Sequence, residues 1–297
     1  MRLSSAYLLI SHGSRDPRPQ RAMEQLAELV RTKLGTQEAT RTPKLGGESK
    51  TSLQGNRALS AQASRFLQLP DTDRTAASAM MVSSAWYPLV GTAALELAYA
   101  PLHEQIREFA SVALSAGCNQ LQLLPVFLLP GVHVTEDIPA EVALAQESLG
   151  QAVVMNLRPH LGAHPGLRRM LASQLATVDA DAKILLSHGT RRPGGNESVE
   201  AVAEYLGAVA AYWSVSPTLE QQLLDLASAG HKQIAILPYF LFSGGITDAI
   251  AKRCREAQIA QSVSTLQERF PKLKLSLCDP IGVSSQLADL IVDLTRN

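Results

Sequence analysis

Cysteine is scarce: Cys118, Cys254 and Cys278 are the three in 297 residues, and no Cys-x-x-Cys pair occurs. Such spacing argues against an iron-sulfur cluster or a thiolate-built zinc site, and it suits a reducing cytosol. Charge of one sign is missing as well, since 27 Lys and Arg balance 27 Asp and Glu. No net basic field draws in nucleic acid or an anionic membrane surface, so any bound anion must be met by local groups. At the N-terminus the apolar run at residues 6–10 is too short for a signal segment or a membrane span. These absences predict a cytoplasmic protein whose partners include neither nucleic acid nor membrane. What is present is 46% hydrophobic residues in a chain long enough for one large α/β domain or two lobes.

The chain repeats itself. Tyr7-Leu8-Leu9-Ile10-Ser11-His12-Gly13-Ser14-Arg15 returns as Lys183-Ile184-Leu185-Leu186-Ser187-His188-Gly189-Thr190-Arg191. Leu124-Pro125-Val126-Phe127-Leu128 and Leu237-Pro238-Tyr239-Phe240-Leu241 follow in the same order, as do Leu161-Gly162 and Ile281-Gly282. Matches in one order indicate duplication. Within each half, short apolar runs alternate with amphipathic stretches, the pattern of buried parallel strands joined by crossover helices. The first half reads as strands near 6–11, 80–85, 120–128 and 152–157, with helices near 18–34, 101–116, 137–149 and 165–178. The second half reads as strands near 183–187, 209–213, 233–240 and 273–277, with helices near 197–208, 217–229, 247–269 and 284–295. Pro17, Pro101, Pro139, Pro165 and Pro217 sit where helices should begin, which suits a residue with preset φ and no N–H. The expected fold is α/β: two tandem lobes, 1–180 and 181–297, each a roughly four-stranded parallel sheet flanked by helices, with a cleft between them. The stretch 35–79 is rich in Thr, Ser, Gly and Gln and reads as a flexible insertion.

Two histidines fall where open α/β sheets place ligands, at the carboxyl ends of strands. His12 follows an apolar strand and precedes Gly13-Ser14-Arg15-Asp16-Pro17. His133 follows a very apolar strand that runs into a Pro130-Gly131 turn. Histidines on two strands of one sheet can converge on a point, and neutral imidazole both binds divalent first-row metals and accepts protons. A histidine in either place also serves as a helix cap or bonds a loop carbonyl, and the recurrence at His188 does not separate these readings.

Taken together, Ser-His-Gly-Ser-Arg-Asp-Pro at 11–17, Leu-Pro-Val-Phe-Leu-Leu-Pro-Gly-Val-His-Val-Thr-Glu-Asp-Ile-Pro at 124–139 and Leu161-Gly162-Ala163-His164-Pro165 resemble the sirohydrochlorin chelatases. These small class II chelatases put cobalt or ferrous iron into sirohydrochlorin on the way to cobalamin or siroheme. In single-lobe relatives two subunits form the cleft, and this chain is similar to the duplicated form. The resemblance implies that His12 and His133 are metal-binding, proton-accepting residues and that Glu96 is the acidic residue facing the macrocycle. It also implies an ATP-independent exchange of two pyrrole protons for a dication, with Co²⁺ or Fe²⁺ as a substrate and no tightly bound cofactor.

A carboxylate-rimmed tetrapyrrole needs apolar walls with donors at the rim. Leu128, Leu129, Pro130, Gly131 and Val132 supply a wall in this reading. Arg15, Arg191 and Arg192 stand at helix-start loops where guanidinium and backbone N–H groups favour carboxylates. The second half keeps His188 but has no histidine matching His133, and Tyr212 stands where Glu96 would. One lobe thus reads as catalytic and the other as degenerate, with His188 structural and His164 a helix-entry residue. A non-catalytic metal or tetrapyrrole carrier on the same fold is the competing reading, and either a monomer or a homodimer suits two lobes in one chain.

Overall fold

The computed structural model describes residues 5–41, 88–263 and 273–296. Its elements run in a strict βα alternation. The first half comprises β1 (Ser5–Ser11), α1 (Pro17–Arg41), β2 (Val90–Ala94), α2 (Leu102–Ser115), β3 (Gln120–Pro125), α3 (Ile138–Leu149), β4 (Val154–Leu157) and α4 (Pro165–Ala176). The second comprises β5 (Ala182–Ser187), α5 (Glu197–Tyr205), β6 (Val209–Tyr212), α6 (Leu219–Ser228), β7 (Gln233–Pro238), α7 (Gly245–Val263), β8 (Lys274–Leu277) and α8 (Ser285–Leu294). The strands form two four-stranded parallel sheets of identical order, β2-β1-β3-β4 and β6-β5-β7-β8.

Strand alternation divides the core into three layers. On β1, Leu9 faces a central cluster, whereas Leu8 and Ile10 face an outer one with Phe109 of α2 and Ile138 of α3. On β5, Leu185 joins the central cluster, and Ile184 and Leu186 turn to an outer layer with Leu219 of α6 and Ile250 of α7. The central layer holds α1, α4, α5 and α8 between the two sheets. On α1, Met23, Leu26, Val30 and Leu34 recur at helical spacing along the buried face. Sharing this layer fixes the lobes against each other, with the carboxyl ends of β1, β3, β5 and β7 around a common hollow.

Several boundaries differ from the sequence expectation. The predicted strand at 80–85 lies outside the described residues, and β2 is Val90–Ala94 instead. In its sequence, Val-Gly-Thr-Ala-Ala, Gly91 has no room for a side chain: a Cβ there would come within 2.6 Å of the Phe109 ring. No apolar run marks such a strand. α1 continues to Arg41, so the pattern break does not begin at 35, and residues 42–87 lie outside the described set. β3 and β7 stop at Pro125 and Pro238, three and two residues before the expected ends at 128 and 240, with one further ladder bond each, from Val126 and Tyr239 N–H to the Ile10 and Leu186 carbonyls.

Candidate metal and macrocycle site

A hollow of about 710 Å³ opens between the lobes, within the size range of small-molecule sites. Its amino-terminal wall carries His12, Leu97, Tyr99, Phe127, Leu128, Leu129, Gly131 and His133, and its far wall carries His188, Tyr239, Phe240, Leu241 and Phe242.

His12 is the first residue after β1. The ladder runs on past β2, with Leu95 N–H donating to the Ser11 carbonyl and Glu96 N–H to the His12 carbonyl, both at 2.9 Å. Backbone bonds therefore lock Glu96 beside His12. Gly13 permits this closeness: its φ is +97°, and a Cβ there would sit 1.9 Å from the Glu96 carbonyl oxygen. Buried Gln105 holds the same loop, accepting from Ala94 N–H and donating to the Ala94 and Ala100 carbonyls. The chain then turns at Leu97, whose φ of 54° is the positive value found for a non-glycine residue among those described.

His133 lies on the first residue of a π-helical turn, His133–Asp137, that leads directly into α3, not on the open strand-end loop that the sequence suggested. The turn brings Asp137 Oδ2 to 2.7 Å from His133 Nδ1. That nitrogen donates to the carboxylate, which leaves Nε2 with its lone pair facing the hollow. His12 is arranged in parallel, Nδ1 donating to the Gly13 carbonyl at 3.2 Å.

The two imidazoles meet edge to face, centroids 4.9 Å apart at 79°. Glu96 spans them, with Oε2 3.9 Å from His12 Nε2 and Oε1 4.0 Å from His133 Nε2. One ligand atom from each of His12, Glu96 and His133 lies within 4.8 Å of the others. Metal bonds of roughly 2.0–2.2 Å put neighbouring ligand atoms about 3–3.5 Å apart, so a modest inward shift of these partly exposed side chains would close the set on an ion. Three ligands from one side leave further coordination positions open toward the hollow.

The remaining predicted residues divide. Leu128, Leu129 and Gly131 line the hollow, whereas Pro130 and Val132 do not. Arg15 is exposed outside the lining, because the helix-start loop turns its side chain to solvent. Arg191 and Arg192 are likewise exposed and outside it. His164 caps α4, its Nδ1 accepting from Gly166 N–H at 3.0 Å. His188 is exposed to the hollow rather than packed beneath a surface.

Strand register corrects the match proposed for Glu96. Ser11 pairs with Ala94 and Ser187 with Tyr212, so Tyr212 corresponds to Ala94. Two residues on, Ser214 N–H donates to the His188 carbonyl as Glu96 N–H does to that of His12, and Ser214 is the counterpart of Glu96. By the same ladder Val126 matches Tyr239, which places Ile246 where His133 would fall.

Gln105, Asp137 and Tyr239 escaped the sequence reading. Tyr239 is buried, which pushes its phenol up to about 12 and keeps it protonated at neutral pH; its hydroxyl donates across the lobes toward the Leu128 carbonyl. A further inter-lobe link lies near the entrance of α1, where Arg18 joins Asp16 and Asp248, each at 2.6 Å.

A family model described as CbiX matches residues 71–178 and 182–297. Among curated proteins, a sirohydrochlorin ferrochelatase of Priestia megaterium is 25% identical over 182 residues, 57% of this chain and 66% of that protein. A sirohydrochlorin cobaltochelatase of the same organism is 26% identical over 144 residues, 43% of this chain and 47% of that protein. The matched segments thus span just under two thirds and just under half of these relatives. Among solved structures, SirB from Bacillus subtilis with Fe³⁺ superposes with a TM-score of 0.59 at 17% identity, covering 99% of this chain and 95% of that one. At that identity the likeness is one of fold.

Proposed function

Because the chain belongs to the CbiX family, we propose that it is a sirohydrochlorin chelatase that inserts Co²⁺ or Fe²⁺ without ATP and releases two protons. In this reading lobe 1–180 carries the chemistry and lobe 181–297 closes the cleft. The observation that carries the proposal is the convergence of His12, Glu96 and His133 on one side of an apolar inter-lobe hollow. Imidazole nitrogens suit cobalt and ferrous iron alike, so the donor set leaves the choice of metal to geometry and supply.

Metalation exchanges two pyrrole protons for one dication. The site must therefore hold the metal loosely enough to give it up, and must accept protons. His12, Glu96 and His133 bind the ion from one face of the ring; the ring nitrogens take the open positions; His12, released by the departing metal, accepts a pyrrole proton with Glu96 beside it. Leu128, Leu129 and Gly131 pack against the macrocycle, and Arg15 serves a ring carboxylate only if its loop folds inward on binding. The protein works in the cytosol as a monomer or homodimer.

The test is a paired assay without nucleotide: wild type and His12→Ala are mixed with sirohydrochlorin and Co²⁺ or Fe²⁺, and absorbance and proton release are followed. Turnover with both signals, lost in the variant, supports the enzyme. A wild-type protein that retains metal-free sirohydrochlorin with no proton release is a carrier, and the proposal fails.

A further inference from the structure

The hollow holds one more imidazole than metal binding uses. His188 follows β5 as His12 follows β1, and its Nδ1 donates to the Gly189 carbonyl at 3.0 Å, as His12 does to Gly13. Nε2 keeps its lone pair and, among the described residues, makes no hydrogen bond. The groups that would make His188 a metal site are gone, since Ser214 replaces the carboxylate and Ile246 the second imidazole. The Ser214 hydroxyl donates to the His188 carbonyl at 2.8 Å and offers no base of its own. Among the described residues His188 caps no helix, and its ring bonds only to its own loop and, at 3.5 Å, to Ser214.

Metal transfer has a difficulty that the two ligand imidazoles do not resolve by themselves. A nitrogen lone pair holding a metal cannot hold a proton. In both His12 and His133 the other ring nitrogen is committed, to the Gly13 carbonyl and to Asp137. While the ion sits on the triad, neither imidazole can take the first pyrrole proton, yet a pyrrole nitrogen still carrying hydrogen has no lone pair to offer the metal. His188 lines the same hollow from the carboxyl end of β5 on the other lobe, a place from which it can meet the face of a flat ring that the triad does not.

We propose that His188 is the base that removes the first pyrrole proton, from the face of the macrocycle opposite the metal triad. This rests on the chelatase reading above. The pyrrole N–H bond breaks, the proton passes to His188 Nε2, and the electron pair stays on the ring nitrogen. That nitrogen then draws the metal from His12, whose freed lone pair takes the second proton. The resulting imidazolium at exposed His188 returns its proton to water.

The experiment compares wild type, His188→Gln and His188→Gly in metalation of sirohydrochlorin at saturating Co²⁺, with calorimetric Co²⁺ titration of each protein alone. Co²⁺ affinity is expected to stay within about twofold, while kcat falls on the order of 100-fold, the low end for a lost general base. Added imidazole restores turnover to His188→Gly, and more basic substituted imidazoles restore it faster. The inference is overturned if both variants keep kcat within about threefold of wild type. It is also overturned if the loss is not rescued by any imidazole, or if Co²⁺ affinity collapses, which would make His188 a ligand. Absence of turnover in the wild type would instead bring down the chelatase reading, and this inference with it.

Discussion

The Nδ1 atom of His133 lies 2.7 Å from Oδ2 of Asp137, four residues along the chain and within one π-helical turn. A carboxylate that accepts from a ligand's second nitrogen fixes its tautomer, fixes its ring orientation and raises its basicity. Asp137→Asn keeps the shape but removes the charge and lets the ring choose the wrong tautomer. Co²⁺ affinity is expected to fall about 10- to 100-fold with the fold unchanged. Calorimetric titration beside circular dichroism checks this, and unaltered affinity would remove Asp137 from the site.

Gly13 is held at φ +97° against the Glu96 carbonyl. Gly13→Ala adds a left-handed alanine and a clash with backbone that no side-chain movement relieves. A loss of about 2–4 kcal/mol in urea unfolding is expected. The clash also pushes the Glu96 loop away from His12, so metal binding should weaken more than in Gly117→Ala. At Gly117 (φ +81°) a Cβ meets nothing within 4 Å, which separates strain from displacement.

Arg18 grips Asp16 of its own lobe and Asp248 of the other. Its hydrogen bonds bring the Asp16 carboxyl from an ordinary 3.8 down to about 2, and they lower that of Asp248 as well. A carboxyl depressed in the folded state contributes stability above its unfolded value, and that contribution is lost as pH falls through the folded value. The stability gap between wild type and Arg18→Ala should thus be present at pH 6 and shrink between about pH 4 and 2. It should also shrink in high salt, because all three side chains are partly or largely exposed. Carboxyl NMR titration provides the direct check: in Arg18→Ala, Asp16 returns toward 3.8.

The two-sheet architecture and the strand end that carries His12 were legible because each rests on a local pattern, apolar strands in a repeated order and an apolar strand followed by His-Gly. What escaped depends on three-dimensional contacts and local geometry that hydrophobic patterning does not carry. β2 could not be read from hydrophobicity, since Gly91 within it answers to the Phe109 ring of the next helix rather than to a strand's apolar pattern. The counterpart of Glu96 was misplaced by two residues because spacing in sequence does not carry strand register; the ladder from Ser187 to Tyr212 does. Asp137 was hidden because a helix read as starting at 137 leaves His133 outside it, and only the π-turn joins them. Arg15 carries the right chemistry for a carboxylate, but the direction of an exposed loop side chain is not encoded by its neighbours.

Leu97 combines a left-handed backbone, 57% exposure and a place on the hollow's wall. Left-handed geometry costs a residue with a Cβ roughly 1–2 kcal/mol, whereas glycine adopts it freely but gives up about 0.5–1 kcal/mol of unfolded-chain entropy. Leu97→Gly should therefore unfold at the same urea concentration or a slightly higher one. If the leucine is retained because it packs on the macrocycle, the same change removes apolar contact worth about 1 kcal/mol for a half-buried side chain. KM for sirohydrochlorin should then rise about fivefold with kcat little altered. A variant that gains stability and keeps its KM would show that the strained turn serves only to aim Glu96, and that the ring does not rest on Leu97.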